Sequence, residues 1–162
     1  MPLVFAYGAN LDVPAMTRRC PRSRAVGPAR LMRHRLAVMR EGWLTVVRDA
    51  RENVHGLLWD IALSDVAALD RFESVGTGLY RKILQSVATP GGPKRALVYV
   101  GANAGPGIAD SAYIEGVIAA ASALNLPATV IAALVRLRPN RALIAEAPRS
   151  VRPLYATPFD RP

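Results

Sequence analysis

Cysteine is almost missing from this chain of 162 residues: Cys20 stands alone, which rules out an internal disulfide and suits a reducing compartment. Histidine is nearly as scarce. His34 and His55 are the only two, and neither has a cysteine or carboxylate at ligand spacing, so no metal site is expected. No long apolar run is present either. The most apolar stretch, Tyr113 to Leu134, is broken by Glu115, Asn125 and Pro127, so no membrane span is expected. The N-terminus, Met1 to Tyr7, has no basic region and too short an apolar run for a secretory leader, and a cytoplasmic location is the expectation. Lysine is limited to Lys82 and Lys94, so arginine carries nearly all of the +9 formal charge. Beside so many alanines, that skew fits codon composition better than a partner. The densest basic cluster, Arg30, Arg33, Arg35 and Arg40, has no run of aromatics beside it for base stacking, so no nucleic-acid partner is expected.

Three constellations also fail. There is no Gly-x-Ser-x-Gly elbow. Cys20, next to Pro21 and without a clear histidine partner, reads as an inert thiol. The glycine-rich stretch Gly101 to Gly107 matches no phosphate loop and reads as a flexible connection or a cavity lid.

What the sequence does contain is an ordinary globular composition, 51% hydrophobic and 20% charged, with enough length for one core. Leu3–Tyr7 reads as a buried strand and Gly8-Ala9-Asn10 as a tight turn. Asp12 then caps a short helix to Arg19, with Pro14 in its first turn and Pro21 beyond its end. Ala29–Met39, Leu44–Arg48 and Val54–Trp59 read as strands. Ser64 is placed as the cap of a helix running to about Glu73. Arg81–Ala88 and Arg95–Val100 read as a hairpin. Asp110 or Ser111 caps a helix from Tyr113 to Leu124, and a further one runs from Pro127 to about Leu137. Strands in consecutive antiparallel-looking runs point to an α+β fold, a curled sheet or small barrel flanked by helices. Residues 139–162, rich in proline, read as an arm packed on the domain of residues 1–138 or on a partner subunit.

One carboxylate breaks two local rules. Val66, Leu69 and Glu73 are three and four apart and share one helical face, apolar except for Glu73. Glu73 also falls in the last helical turn, where the helix dipole disfavours negative charge. Both effects push its pKa upward, toward the range useful for proton transfer near neutrality. The same pattern fits a frayed helix end with Glu73 in water, and it does not choose between the two. Asp65 and Asp70 fall off this face and read as solvated. The turn Tyr7-Gly8-Ala9-Asn10-Leu11 joins a buried strand to a helix start. Its backbone N–H groups can cradle a carboxylate or polarised carbonyl, although a plain Asx-type turn has the same sequence.

Taken in order, Phe5-Ala6-Tyr7-Gly8-Ala9-Asn10-Leu11, Met16, Arg19-Cys20-Pro21, Ala29-Arg30-Leu31 and Val54-His55-Gly56-Leu57-Leu58-Trp59 resemble the γ-glutamylcyclotransferase (AIG2-like) family. So do Leu69-Asp70-Arg71-Phe72-Glu73, Gly78-Leu79-Tyr80-Arg81, Val98-Tyr99-Val100 and Tyr113-Ile114. The resemblance covers roughly the first three quarters of the chain. It implies a small mixed β-barrel flanked by α-helices, with a cavity at its mouth and no cofactor. By the same resemblance Glu73 is the catalytic residue. Tyr7, Gly8, Ala9, Asn10 and Leu11 hold the glutamyl group through the backbone, and Tyr80 and Tyr113 contribute hydroxyls. The implied reaction is intramolecular: the α-amine of a γ-glutamyl amide or γ-glutamyl amino acid attacks the γ-amide, releasing 5-oxoproline and an amine or amino acid. A non-catalytic binder of a small ligand on the same fold is the alternative. A homodimer is compatible with the proline-rich arm. Ala9 departs from the family pattern, which has serine there, so a hydroxyl is lost while the backbone amide is kept.

Overall fold

A computed structural model describes residues 1–140. Five strands close into a barrel in the order β1-β3-β2-β4-β5: β1 Leu3–Ala6, β2 Arg24–Val38, β3 Leu44–Asp60, β4 Tyr80–Thr89 and β5 Gly92–Gly101. All neighbours are antiparallel except β1 and β5, which run parallel, with Val4 opposite Leu97 and Phe5 opposite Val98. That parallel seam closes the sheet and makes the barrel mixed, so no sheet edge is left along β1. Four helices flank it: α1 Val13–Arg19, α2 Leu63–Phe72, α3 Ser111–Ala123 and α4 Ala128–Val135. From residue 141 onward the proline-rich arm lies outside the described residues. Among the described residues no helix is long and apolar enough to cross a membrane.

The core is continuous from barrel to helices. Phe5, Leu31, Leu58, Trp59 and Val98 fill the barrel, and Leu69, Ile114, Val117 and Leu134 bring the helices onto it. Gly56 is required where β3 passes β1. A Cβ there would run into the carbonyl oxygen of Ala6 and the ring of Phe5, so only glycine permits the close approach.

Several sequence boundaries shift, each for a physical reason. The segments Leu44–Arg48 and Val54–Trp59 are one strand, β3. Its middle, from Arg48 to Asn53, is mostly exposed and has no hydrophobic alternation; Arg48 and Asn53 lie opposite His34 and Met32 of β2, and the residues between them bulge out of register. β2 begins at Arg24, earlier than Ala29, because a bulge between Ala25 and Gly27 accommodates Pro28. Helix α2 is capped by Ala62, not Ser64, and no side chain caps it. Asp65 is buried rather than solvated: its carboxylate accepts from the Arg22 N–H at 2.9 Å and the Ser23 hydroxyl at 2.8 Å, which ties α2 to the turn after α1. Asp70 is also engaged, accepting from Lys82 Nζ at 2.7 Å and the Tyr99 hydroxyl at 2.6 Å. In both cases the donors come from distant parts of the chain. The caps at α1 and α3 follow local chemistry, with Asp12 accepting from the Ala15 N–H and Asp110 from the Tyr113 N–H.

Candidate functional site

Strand β1 ends at Ala6, and the chain then turns through Gly8 into a single 3-10 turn, Ala9–Leu11. The turn is closed by the Leu11 N–H donating to the Gly8 carbonyl and the Asp12 N–H to that of Ala9. Gly8 is packed so closely that a Cβ would lie 2.7 Å from the Tyr113 hydroxyl. The glycine therefore lets the bend pass beneath the start of α3. On the opposite side α2 stops at Glu73, whose N–H still bonds the Leu69 carbonyl, because Ser74 takes a left-handed conformation with φ of 52°. The last helical side chain is thereby turned toward the bend.

Between them lies a cavity of about 420 Å³. Tyr7, Gly8, Ala9 and Asn10 form one wall, and Glu73, Tyr80 and Tyr113 others, so the structure brings seven of the sequence-selected residues together. Leu11 does not line it. That side chain is fully buried and its N–H is spent on closing the turn, which removes it from the set of ligand donors. The glycine-rich stretch after β5 does not cover the cavity either. It packs along the chain after β2, Gly107 against the Met39 carbonyl and Gly105 against that of Val38.

Glu73 is half-buried, ringed by protein atoms while one side faces the hollow. Asn10 Nδ2 donates to its Oε1 at 2.5 Å, and Asn10 Oδ1 in turn accepts from an Arg19 guanidinium nitrogen at 2.6 Å. The Arg19 guanidinium lies 3.2 Å from the centroid of the Phe72 ring. Burial raises the Glu73 pKa, the Asn10 hydrogen bond and the Arg19 charge pull it back, and the result is about 7. The tyrosines around it are neutral over the same range, since burial pushes Tyr7, Tyr80, Tyr99 and Tyr113 all upward. Their hydroxyls are committed to the frame. Tyr7 donates to the Tyr99 carbonyl at 2.5 Å and Tyr80 to the Leu44 carbonyl at 2.6 Å, while the Tyr113 oxygen accepts from the Leu44 N–H at 3.3 Å and is hydrogen-bonded by the Ala9 backbone. Tyr80 thus has only acceptor capacity left for a ligand.

Sequence reasoning gave Arg19 no role and passed over Trp43, Phe72 and Tyr99, which also line or support the hollow. For Arg19 the available signal was its place on the last turn of α1, nine residues after Asn10. Cys20 is fully buried and burial pushes its thiol up to about 11, which keeps it protonated.

The fold and site together define a closed mixed barrel with one enclosed carboxyl at its mouth. A family model described as "Gamma-glutamyl cyclotransferase, AIG2-like" matches residues 4–116, and the chain belongs to that family. A solved γ-glutamyl cyclotransferase is similar at 25% identity and a TM-score of 0.79, over 86% of this chain and 89% of that one. An uncharacterized protein from Homo sapiens, loc79017, is similar at 26% identity and 0.78, over the same shares. YkqA from Bacillus subtilis shares the fold at 20% identity and 0.72, over 83% of this chain and 53% of that one. A comparison with curated proteins finds no match.

Proposed function

We propose that the protein is a γ-glutamyl cyclotransferase in which Glu73 is the catalytic acid and base. One observation carries this reading: a carboxyl with a pKa of about 7 faces a cavity large enough for a glutamyl group and a modest amine. A γ-glutamyl amide folded in that space presents its own α-amine to its γ-carbonyl carbon. The C–N bond of the five-membered ring forms as the amide C–N bond breaks, giving 5-oxoproline and a free amine. Holding the two groups together makes the attack unimolecular, worth several kcal/mol of barrier. The α-amine is mostly protonated near neutral pH. Glu73 takes a proton from it and returns one to the departing nitrogen. The oxyanion falls to the Gly8 and Asn10 amides, since those of Leu11 and Asp12 close the turn and the Ala9 backbone bonds Tyr113.

The test is incubation with a panel of γ-glutamyl amino acids and γ-glutamyl amines, with 5-oxoproline read by mass spectrometry. The parent should release it and Glu73→Gln should not. Equal release by both would remove Glu73 from the chemistry. Tight binding of a γ-glutamyl compound without turnover would favour a small-ligand-binding protein.

A further inference from the structure

We infer that Arg19 is a positioning residue that acts through Asn10, fixing the orientation of the Asn10 amide so that only one oxygen of Glu73 is tethered and the other is presented to the substrate nitrogen. This deepens the reading above and rests on it. The amide of an asparagine can be turned either way round. Here the Arg19 guanidinium has only donors, so it demands the Asn10 oxygen, at 2.6 Å. The Nδ2 group is thereby forced toward Glu73 Oε1, at 2.5 Å. Among the described residues no protein hydrogen bond falls on Oε2, and Glu73 lines the cavity, so Oε2 is the oxygen left for proton transfer. Arg19 is itself held on two sides, by the Phe72 ring beneath it and by Met16 Sδ at 3.7 Å. The Asn10 carbonyl is pinned separately by the Trp59 indole N–H at 3.1 Å, so the backbone of residue 10 does not depend on Arg19.

The charged groups around Glu73 allow its titration to be isolated. Arg19 approaches from α1, Tyr7 from the end of β1, Tyr80 from β4, Tyr99 from β5 and Tyr113 from α3, while Asp70 lies on its own helix with Arg71 beside it. The tyrosines titrate far above neutrality, and Lys82 and Tyr99 hold Asp70 below its ordinary value. Among the protein's groups an acid limb near pH 7 therefore belongs to Glu73, and its coincidence with the carboxyl titration separates it from the substrate's α-amine.

The experiment compares Arg19→Met, Arg19→Gln, Asn10→Ala and the Arg19→Met/Asn10→Ala pair. Two readouts are used: the pH profile of 5-oxoproline release, and a carboxyl titration of Glu73 by NMR on glutamate-labelled protein, which needs no turnover. Loss of Arg19 should move the Glu73 titration and the acid limb upward by at least about half a pH unit. It should lower kcat about tenfold or more at pH 7, and change KM less than about threefold. Because Arg19 orients Asn10, Arg19→Met should lower kcat no further once Asn10 is alanine, when both are measured above the acid limb, while loss of its charge still moves the Glu73 titration. Arg19→Gln, shorter and uncharged but still carrying an N–H donor, should restore a small part of kcat relative to Arg19→Met and keeps the test open if the methionine variant does not fold. An unmoved titration in the folded Arg19 variants, or additive losses of kcat in the double variant, would overturn the proposal. A parent that makes no 5-oxoproline but shows the coupled NMR shifts would instead overturn the function while leaving the relay standing.

Discussion

Replacing Glu73 with glutamine should stabilise the protein, and only above mildly acidic pH. Its carboxyl has a pKa of about 7 in the folded chain against an ordinary 4.5. The folded state therefore binds this proton more tightly than the unfolded state does. Below pH 4.5 both states are protonated and the group costs nothing. As pH rises through 4.5 the unfolded chain ionises first, and stability falls until the folded carboxyl has ionised above 7. Each tenfold change in proton affinity is worth about 1.36 kcal/mol, so the full penalty is roughly 3 kcal/mol, or about 2 once water in the open cavity is allowed for. Glutamine keeps an oxygen for the Asn10 Nδ2 bond and removes the charge, so the variant escapes the penalty without losing the contact. Thermal melts of parent and variant from pH 4.5 to 8.5 should coincide at the acid end. They should separate by about 4–10 °C at pH 8, with the variant higher. Parallel curves across this range, or a gap that opens toward acid, would refute the burial of this carboxyl.

Three further outcomes follow from the site's construction. Gly8→Ala should cost about 1–3 kcal/mol in a denaturant melt because its methyl meets the Tyr113 hydroxyl, and Tyr113→Phe in the same chain should recover part of that loss. Gly56→Ala should be worse, about 3 kcal/mol or more and not relieved by any side-chain change, since its Cβ meets the Ala6 backbone. Cys20 in folded protein should stay unlabelled by a thiol reagent at pH 8 and react at full stoichiometry only in denaturant.

How much of this was legible beforehand depended on whether the controlling contact was local. Asp12 and Asp110 cap their helices through residues three positions on, and both could be read from sequence. The inward face of α2 was legible because Val66, Leu69 and Glu73 share it by helical period, and Leu69 is indeed fully buried. The parallel β1–β5 seam joins residues more than ninety positions apart and leaves no periodic trace in a four-residue strand. Asp65 looked solvated because its partners, Arg22 and Ser23, belong to a turn far back in the chain. The Arg48–Asn53 arm of β3 escaped notice for the opposite reason, having no buried face to imprint a pattern. Within the site, the carboxyl was visible as a broken rule. Arg19 broke none, since a cation is welcome in the last turn of a helix, and so nothing marked it.

The value near 7 at Glu73 is a balance of opposed effects. With burial alone, the carboxyl would stay protonated at neutral pH and have no capacity to accept a proton from an amine. With the Asn10 bond and the Arg19 charge but no enclosure, it would stay ionised and have no proton to return to a leaving nitrogen. Burial comes from the barrel and α3, through Tyr7, Tyr80 and Tyr113, whereas the stabilising donor and cation come from the Ala9–Leu11 turn and the end of α1. The two influences thus sit on separate elements. Residues of the α1 side can move the pKa without emptying the core, and any such shift changes stability only through the proton linkage of this one group. The seven residues of α1 bring Arg19 back to the turn, where its guanidinium donates to the Asn10 oxygen at 2.6 Å.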